Sequence, residues 1–155
     1  MTRDELFANE AAILGYGFDG EIKIGSNYVP LLQDGHHIYI SGQIPRVGDI
    51  VVFTGAAGAE VSLAQAQTAA KVCVMRALAL FQRRLGSLDL IKAVPRISVY
   101  VQSAARFTQQ SEVSDGASEL LFKVLGNDGA HSRTSVGVIQ LPKIRHNGDR
   151  FHRNS

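Results

Sequence analysis

Residues 62–86, SLAQAQTAAKVCVMRALALFQRRLG, decide the fold class, because they read as one long amphipathic helix. Ala66, Ala69, Ala70, Cys73, Ala77, Leu80 and Phe81 recur at the i, i+3, i+4, i+7 spacing of a single helical face, while Gln65, Gln67, Lys71, Gln82 and Arg83 take the complementary one. Both ends carry signals. Ser62 followed three residues later by Gln65 is a capping-box pattern, and Gly86 behind Arg83, Arg84 and Leu85 supplies the residue that most easily turns left-handed. The spacing predicts a helix over 62–85.

Downstream, residues 96–101 (RISVYV) are β-branched and aromatic and follow Pro95, which suits the start of a strand. A second helix is expected over 114–125, with Ala117, Leu120, Leu121 and Val124 on one face and Gly126 at its end. Residues 133–139 read as another strand, ended by Pro142. Upstream, HHIYISG (36–42) and DIVVFTG (49–55) read as two strands, and Pro45 and Gly48 between them predict a turn and a hairpin pairing. The order strand, strand, helix, strand, helix, strand gives an α+β class. It implies a mixed sheet with two helices on one face, the other face being left to a partner subunit. No repeat or low-complexity linker divides the chain. The expected organisation is an N-terminal arm over 1–27, one domain over 28–142 and an atypical basic tail over 143–155.

A chain of 155 residues, 45% hydrophobic, is long enough to bury a core as a single soluble domain. The lone Cys73 excludes a disulfide framework, no Cys/His cluster has zinc spacing, and a reducing, cytoplasmic setting fits best. The acidic Asp4, Glu5 and Glu10 fit neither a signal peptide nor an Arg-rich transit peptide, and no apolar run approaches the ~18 residues of a membrane helix. From Lys143 onward, Lys143, Arg145, Arg150 and Arg153 against Asp149 give the tail a net +3, so residues 1–142 carry −1 of the chain's +2. A near-neutral body lacks the basic stripe that binding phosphate backbones requires, and no nucleic-acid or membrane partner is expected.

Phosphate loops and nucleophile elbows are absent from the sequence, and the glycines of TGAAGAE lack the Lys-Ser/Thr of a P-loop. His36 and His37 are adjacent and would point to opposite faces of a strand, so no metal site is expected there. Cys73, on the apolar helix face, reads as a buried inert thiol. On the last strand Arg133 shares a face with the small Ser135 and Gly137, which leaves room beside its guanidinium for an anion. A guanidinium binds a carboxylate through two parallel hydrogen bonds, which suits a small keto, imino or amino acid. The spacing equally allows an Arg that does no more than pair with an exposed acid.

The strings NYVPLLQDGHHIYISGQIP (27–45) and GASELLFKVLGNDGAHSRTSVGVIQLP (116–142), with the helix between them, resemble the Rid/YjgF family of reactive-intermediate deaminases, also called L-PSP endoribonuclease-like. The likeness runs from about Gly15 to Pro142 and is closer to a subgroup with SGQIPR-GD and TQQSEVSDGASELL than to the archetypal deaminases. The resemblance implies a chorismate-mutase-like fold, a homotrimer with a central barrel, and clefts between adjacent subunits. It matches Arg133 to the arginine that grips the substrate carboxylate, Tyr28 to the aromatic hydroxyl lining the cleft, Ser41 to a small polar residue near it, and Ser135 to the position whose backbone assists the carboxylate. The implied reaction is hydrolysis of small 2-imino or enamine acids to 2-keto acids and ammonia, without a cofactor. Endoribonuclease activity is not expected, since no His pair is placed for phosphodiester chemistry.

One departure stands out. After Leu141-Pro142 the family continues with a strand whose first Glu orients the attacking water, whereas this chain reads KIRHNGDRFHRNS. The tail lacks strand alternation, and a neighbouring reading frame can encode the family-like KYATEIDFIA, so the expectation is a frameshifted last strand. The missing Glu favours the alternative of a non-catalytic trimeric module that binds small carboxylates or another protein.

Overall fold

The structure, a computed structural model, describes residues 1–22 and 27–142. The long helix forms as the sequence indicates. It is α2, Leu63–Leu85, closed at its start by both hydrogen bonds of the Ser62/Gln65 capping box and at its end by left-handed Gly86. Its buried side overlaps the expected one only in part: Ala66 and Leu80 are buried as read. Val72, Met75, Leu78 and Ala79 are buried, whereas Ala69, Cys73 and Ala77 are only partly so. Larger side chains gain more from leaving water than alanines do, so they set how the helix is rotated onto the core.

The second helix, α3, is Gln110–Leu125 and starts four residues earlier than the periodicity indicates. Its apolar face is as read: Ala117, Leu120, Leu121 and Val124 are all buried. Gly116 sits where α3 crosses α2, and a Cβ there would lie 2.6 Å from the Gln67 carbonyl oxygen. Glycine thus sets how closely the two helices approach.

The N-terminal arm holds a third helix, α1 (Arg3–Leu14), N-capped by Thr2 and ended at left-handed Gly15. Phe7 of α1 and Phe18 just beyond it meet edge to face in the main core with Val72, Met75, Leu120 and Val124. Arg3 donates to the Ile91 and Leu125 carbonyls at 2.8 and 3.1 Å and pairs with Asp128 at 2.5 Å. The Asp4 carboxylate accepts from Gln82 Nε2, the Leu88 amide and the Ser87 hydroxyl. Periodicity alone does not announce this helix, because the ANEAA stretch (8–12) gives it little apolar contrast.

In place of one mixed sheet, the described residues form three two-stranded ladders. The expected hairpin between 36–42 and 49–55 is not made. Instead β1 (Leu31–Asp34) pairs with β2 (His37–Ile40) across Gly35-His36, and β3 (Arg46–Val47) pairs with β4 (Ile50–Val51) across Gly48-Asp49. Gly35 and Gly48 take φ values of 61° and 60°, so each supplies a two-residue turn, and closing two short loops outcompetes closing one longer one. The strand read over 49–55 ends early, where Phe53 adopts a positive φ of 56°. The last ladder is parallel: β5 (Arg96–Gln102) beside β6 (Ser132–Val138), with Ile97 opposite Arg133 and Val99 opposite Ser135. Val99 and Val101 pack on Ala66 of α2 and Val113 of α3, so two helices do cover one face of this ladder. Its other face leaves Ser98, Tyr100, Thr134 and Val136 exposed. The tail beyond Pro142, with its proposed reading frame, lies outside the described residues.

Candidate functional site

Alternation along β6 places Arg133, Ser135 and Gly137 on the face that meets α3, and His131, just ahead of the strand, reaches the same helix through Ser118. On α3 the facing positions are Ser111, Asp115 and Ser118, spaced i, i+4, i+7, with Gln110 and Ser114 beside them. The early start of the helix brings Gln110 and Ser111 into this row. Strand and helix therefore meet through polar groups.

Arg133 is the centre of the row and does not face an open pocket. Its Nη1 donates to Asp115 Oδ1 at 3.0 Å and to Ser118 Oγ at 2.9 Å, and its Nη2 donates to the Ser111 carbonyl and hydroxyl oxygens at 3.2 and 2.9 Å. Asp115 is a half-exposed acid, so within one chain the arginine makes the pairing that its spacing had allowed as the alternative to a ligand. The room expected beside Ser135 and Gly137 is also taken. The Ser135 hydroxyl donates to Ser114 Oγ at 2.7 Å, and a Cβ on Gly137 would lie 2.7 Å from Gln110 Nε2.

Ahead of the strand, His131 Nδ1 lies 2.7 Å from the Gly129 carbonyl, which can only accept, so Nδ1 carries the proton. In the neutral ring Nε2 is then an acceptor, and the Ser118 hydroxyl donates to it at 2.8 Å. Phe122, one turn beyond Ser118, has its ring 5.7 Å from that of His131.

Ser41 and Tyr28 lie elsewhere on this chain. Ser41 follows β2, its hydroxyl donating to the Val29 carbonyl at 2.6 Å, while Tyr28 is exposed ahead of β1. Among the described residues no hydrogen bond joins either to Arg133. Their segment is anchored by α2: Arg76, 4% exposed, donates to Gln43 Oε1 at 2.9 Å and to the Arg46 carbonyl at 2.6 Å. Burial, with Arg46 close by, holds that guanidinium below its ordinary value, opposed by neighbouring Cys73. The Cys73 thiol donates to the Gln43 carbonyl, and burial pushes it up to about 12, outweighing the attraction of Arg76. Cys73 is thus half-buried where the sequence indicated full burial, and its thiol is held in the protonated form.

Among the described residues, shallow grooves include one of about 470 Å³ beside Phe7, Phe18 and Arg83, and one of about 240 Å³ beside Ser103, Phe107 and Ile139. Arg133 lines neither. Among the described residues no cluster of three or more His, Cys, Asp or Glu side chains could hold a metal ion, and no helix is long and apolar enough to cross a membrane.

Sequence reasoning had missed Ser111, Asp115, Ser118 and His131. The signal was available: 111, 115 and 118 mark one stripe of a helix, and 133 and 135 one face of a strand, with His131 just ahead of it.

This arrangement of helices over a parallel strand pair has relatives. Residues 16–144 match the family described as YjgF/chorismate mutase-like, "putative endoribonuclease", and the chain belongs to that family. Protein TCP17 of Trypanosoma cruzi is 39% identical over 118 residues, which cover 76% of this chain and 74% of that protein. The crystal structure of Atu1372 from Agrobacterium tumefaciens, a protein of unknown function, is similar at 34% identity and a TM-score of 0.79, covering 92% of this chain and 87% of that one. A structure from Shewanella oneidensis described as a "putative endoribonuclease" shares the fold at 23% identity and a TM-score of 0.82, covering 92% and 91% of the two chains.

Proposed function

We propose that this protein hydrolyses small reactive 2-imino and enamine acids to 2-keto acids and ammonia, as a homotrimer whose clefts lie between adjacent subunits. The observation that carries the reading is Arg133, a guanidinium held by three α3 side chains at a fixed place on β6, within a family that points to small-molecule chemistry. The substrate carboxylate takes the place of the Asp115 carboxylate on Arg133, and the charge polarises the adjacent C=N carbon. Water adds to that carbon, the nitrogen gains protons, and ammonia leaves as the C=O forms. Tyr28 and Ser41 of a neighbouring subunit line the other side of the cleft. The test is the disappearance of 2-iminobutanoate, generated by an amino-acid oxidase and trapped with semicarbazide. The wild type should accelerate it and Arg133→Ala should not; equal rates for the two would overturn the reading.

A second reading rests on a specific observation. Both terminal nitrogens of Arg133 already have acceptors on α3, which suits a trimeric module that binds a carboxylate, or a protein partner, without turnover. Binding of 2-ketobutanoate that depends on Arg133, with no imine hydrolysis, would select it.

A further inference from the structure

Of the four hydroxyls on the two long helices, two bond their own helix: Thr68 Oγ1 donates to the Ala64 carbonyl and Ser114 Oγ to the Gln110 carbonyl, each four residues back. Ser118 does otherwise. Its proton goes to His131 Nε2 at 2.8 Å, and His131 is held in the receiving tautomer by donating from Nδ1 to the Gly129 carbonyl at 2.7 Å. A serine bonded to an imidazole whose far nitrogen is fixed by a third group is the arrangement that activates a hydroxyl nucleophile. The third requirement is a donor for negative charge. Arg133 Nη1 lies 2.9 Å from Ser118 Oγ, where it favours the alkoxide and, once Asp115 is displaced from it, meets the oxyanion formed two bonds away. Ser118 and His131 are half-buried and not sealed in the core, and the half-exposed Phe122 ring beside His131 offers an apolar wall.

We propose that Ser118 and His131 form a nucleophilic dyad that accepts an acyl group from a short-chain carboxylic ester, a chemistry separate from imine hydrolysis. Ser118 Oγ attacks the ester carbonyl carbon as its proton passes to His131 Nε2. The tetrahedral intermediate, its oxyanion at Arg133, collapses by breaking the bond to the alcohol oxygen, which leaves with the proton from Nε2. Water, deprotonated by the same nitrogen, then adds to the acyl carbon, and the serine departs to give a carboxylic acid and the free hydroxyl. Phe122 limits the acyl group to a short chain.

The test reads the covalent step on the full chain. With p-nitrophenyl acetate the wild type should show a burst of nitrophenol and an acetyl mass increment on the peptide carrying Ser118, and a fluorophosphonate should label the same residue. Ser118→Ala should abolish the burst, and His131→Gln should slow labelling by about 10²- to 10⁴-fold, the range for loss of a general base. Labelling of other residues only, an equal burst from Ser118→Ala, or undiminished labelling of His131→Gln would each overturn the proposal. Melting curves establish that the variants fold. Should either fail to, the position of the label on the wild type decides, and a wild type without label at Ser118 also overturns it.

Discussion

At the scale of single residues, Asp115 and Arg133 form a pair that a ligand must break. The acid is half exposed, so the pair is worth no more than an ordinary surface ion pair, about 0.2–1 kcal/mol. Asp115→Asn removes the charge that competes with an incoming carboxylate. Calorimetric titration with 2-ketobutanoate should then show affinity higher by about 1.5- to 5-fold, the same energy written as a ratio. Weaker binding would mean that Asp115 orients the guanidinium and does not compete for it. Cys73 gives a prediction of opposite character. With its thiol pushed from 9.0 up to about 12, the reactive thiolate is scarcer by about 10³. Iodoacetamide at neutral pH should leave Cys73 unmodified in the folded protein and alkylate it in urea. Rapid labelling of the native chain would show that the site opens.

At the scale of elements, helix α3 is held by one apolar and one polar side, and each can be tested alone. Gly116→Ala adds a Cβ 2.6 Å from the Gln67 carbonyl at the crossing with α2. Alanine's helix preference returns about 1 kcal/mol, while forcing two backbones apart costs about 1–3, so the net should be a lowered melting temperature. A raised melting temperature would show that the crossing is slack. Helix α1 is secured by Asp4, whose burial opposes ionisation but whose hydrogen bonds from Ser87, Gln82 and Leu88 prevail and hold its pKa below 3.8. A carboxylate depressed in the folded state contributes stability above its unfolded pKa and loses it as pH falls through the folded value. Urea unfolding should therefore find the wild type more stable than Asp4→Asn near neutrality, by a margin that shrinks below about pH 4. A margin independent of pH would assign the effect to packing. The elements also show what a sequence discloses. Ser62, Gln65 and Gly86 fix the ends of α2 through local hydrogen bonds, and local rules read them. The strand pairing was missed because Gly35 and Gly48 both announce turns and only the relative cost of closing each loop decides between them. Arg133 and Ser135 were legible as one strand face. Their partners were not, because which helix lies over that face is a matter of tertiary packing.

At the scale of the whole molecule, the distribution of apolar surface argues for assembly. Helices α2 and α3 cover one face of the β5 and β6 ladder, while the other leaves Tyr100 59% and Val136 39% exposed. Leu32 and Tyr39, directly opposite each other in the first hairpin, are each 60% exposed. Apolar groups paired across strands and left in water are the pattern of a surface that a further subunit covers. The separation of Tyr28 and Ser41 from Arg133 bears on the same point, since a cleft containing all three then draws on more than one chain. Three chains of 16.7 kDa make a particle of about 50 kDa, which light scattering behind gel filtration should find for the wild type. Tyr100→Glu places a charge on the open face and should give single chains. Because the proposed cleft needs two subunits, that variant should also lose imine hydrolysis. It should still acquire the acyl label on Ser118, since Ser118, His131 and Arg133 meet within one chain. Loss of both activities in a folded monomer would place the dyad at the subunit boundary as well, and full retention of imine hydrolysis would place the whole deaminase site inside one chain.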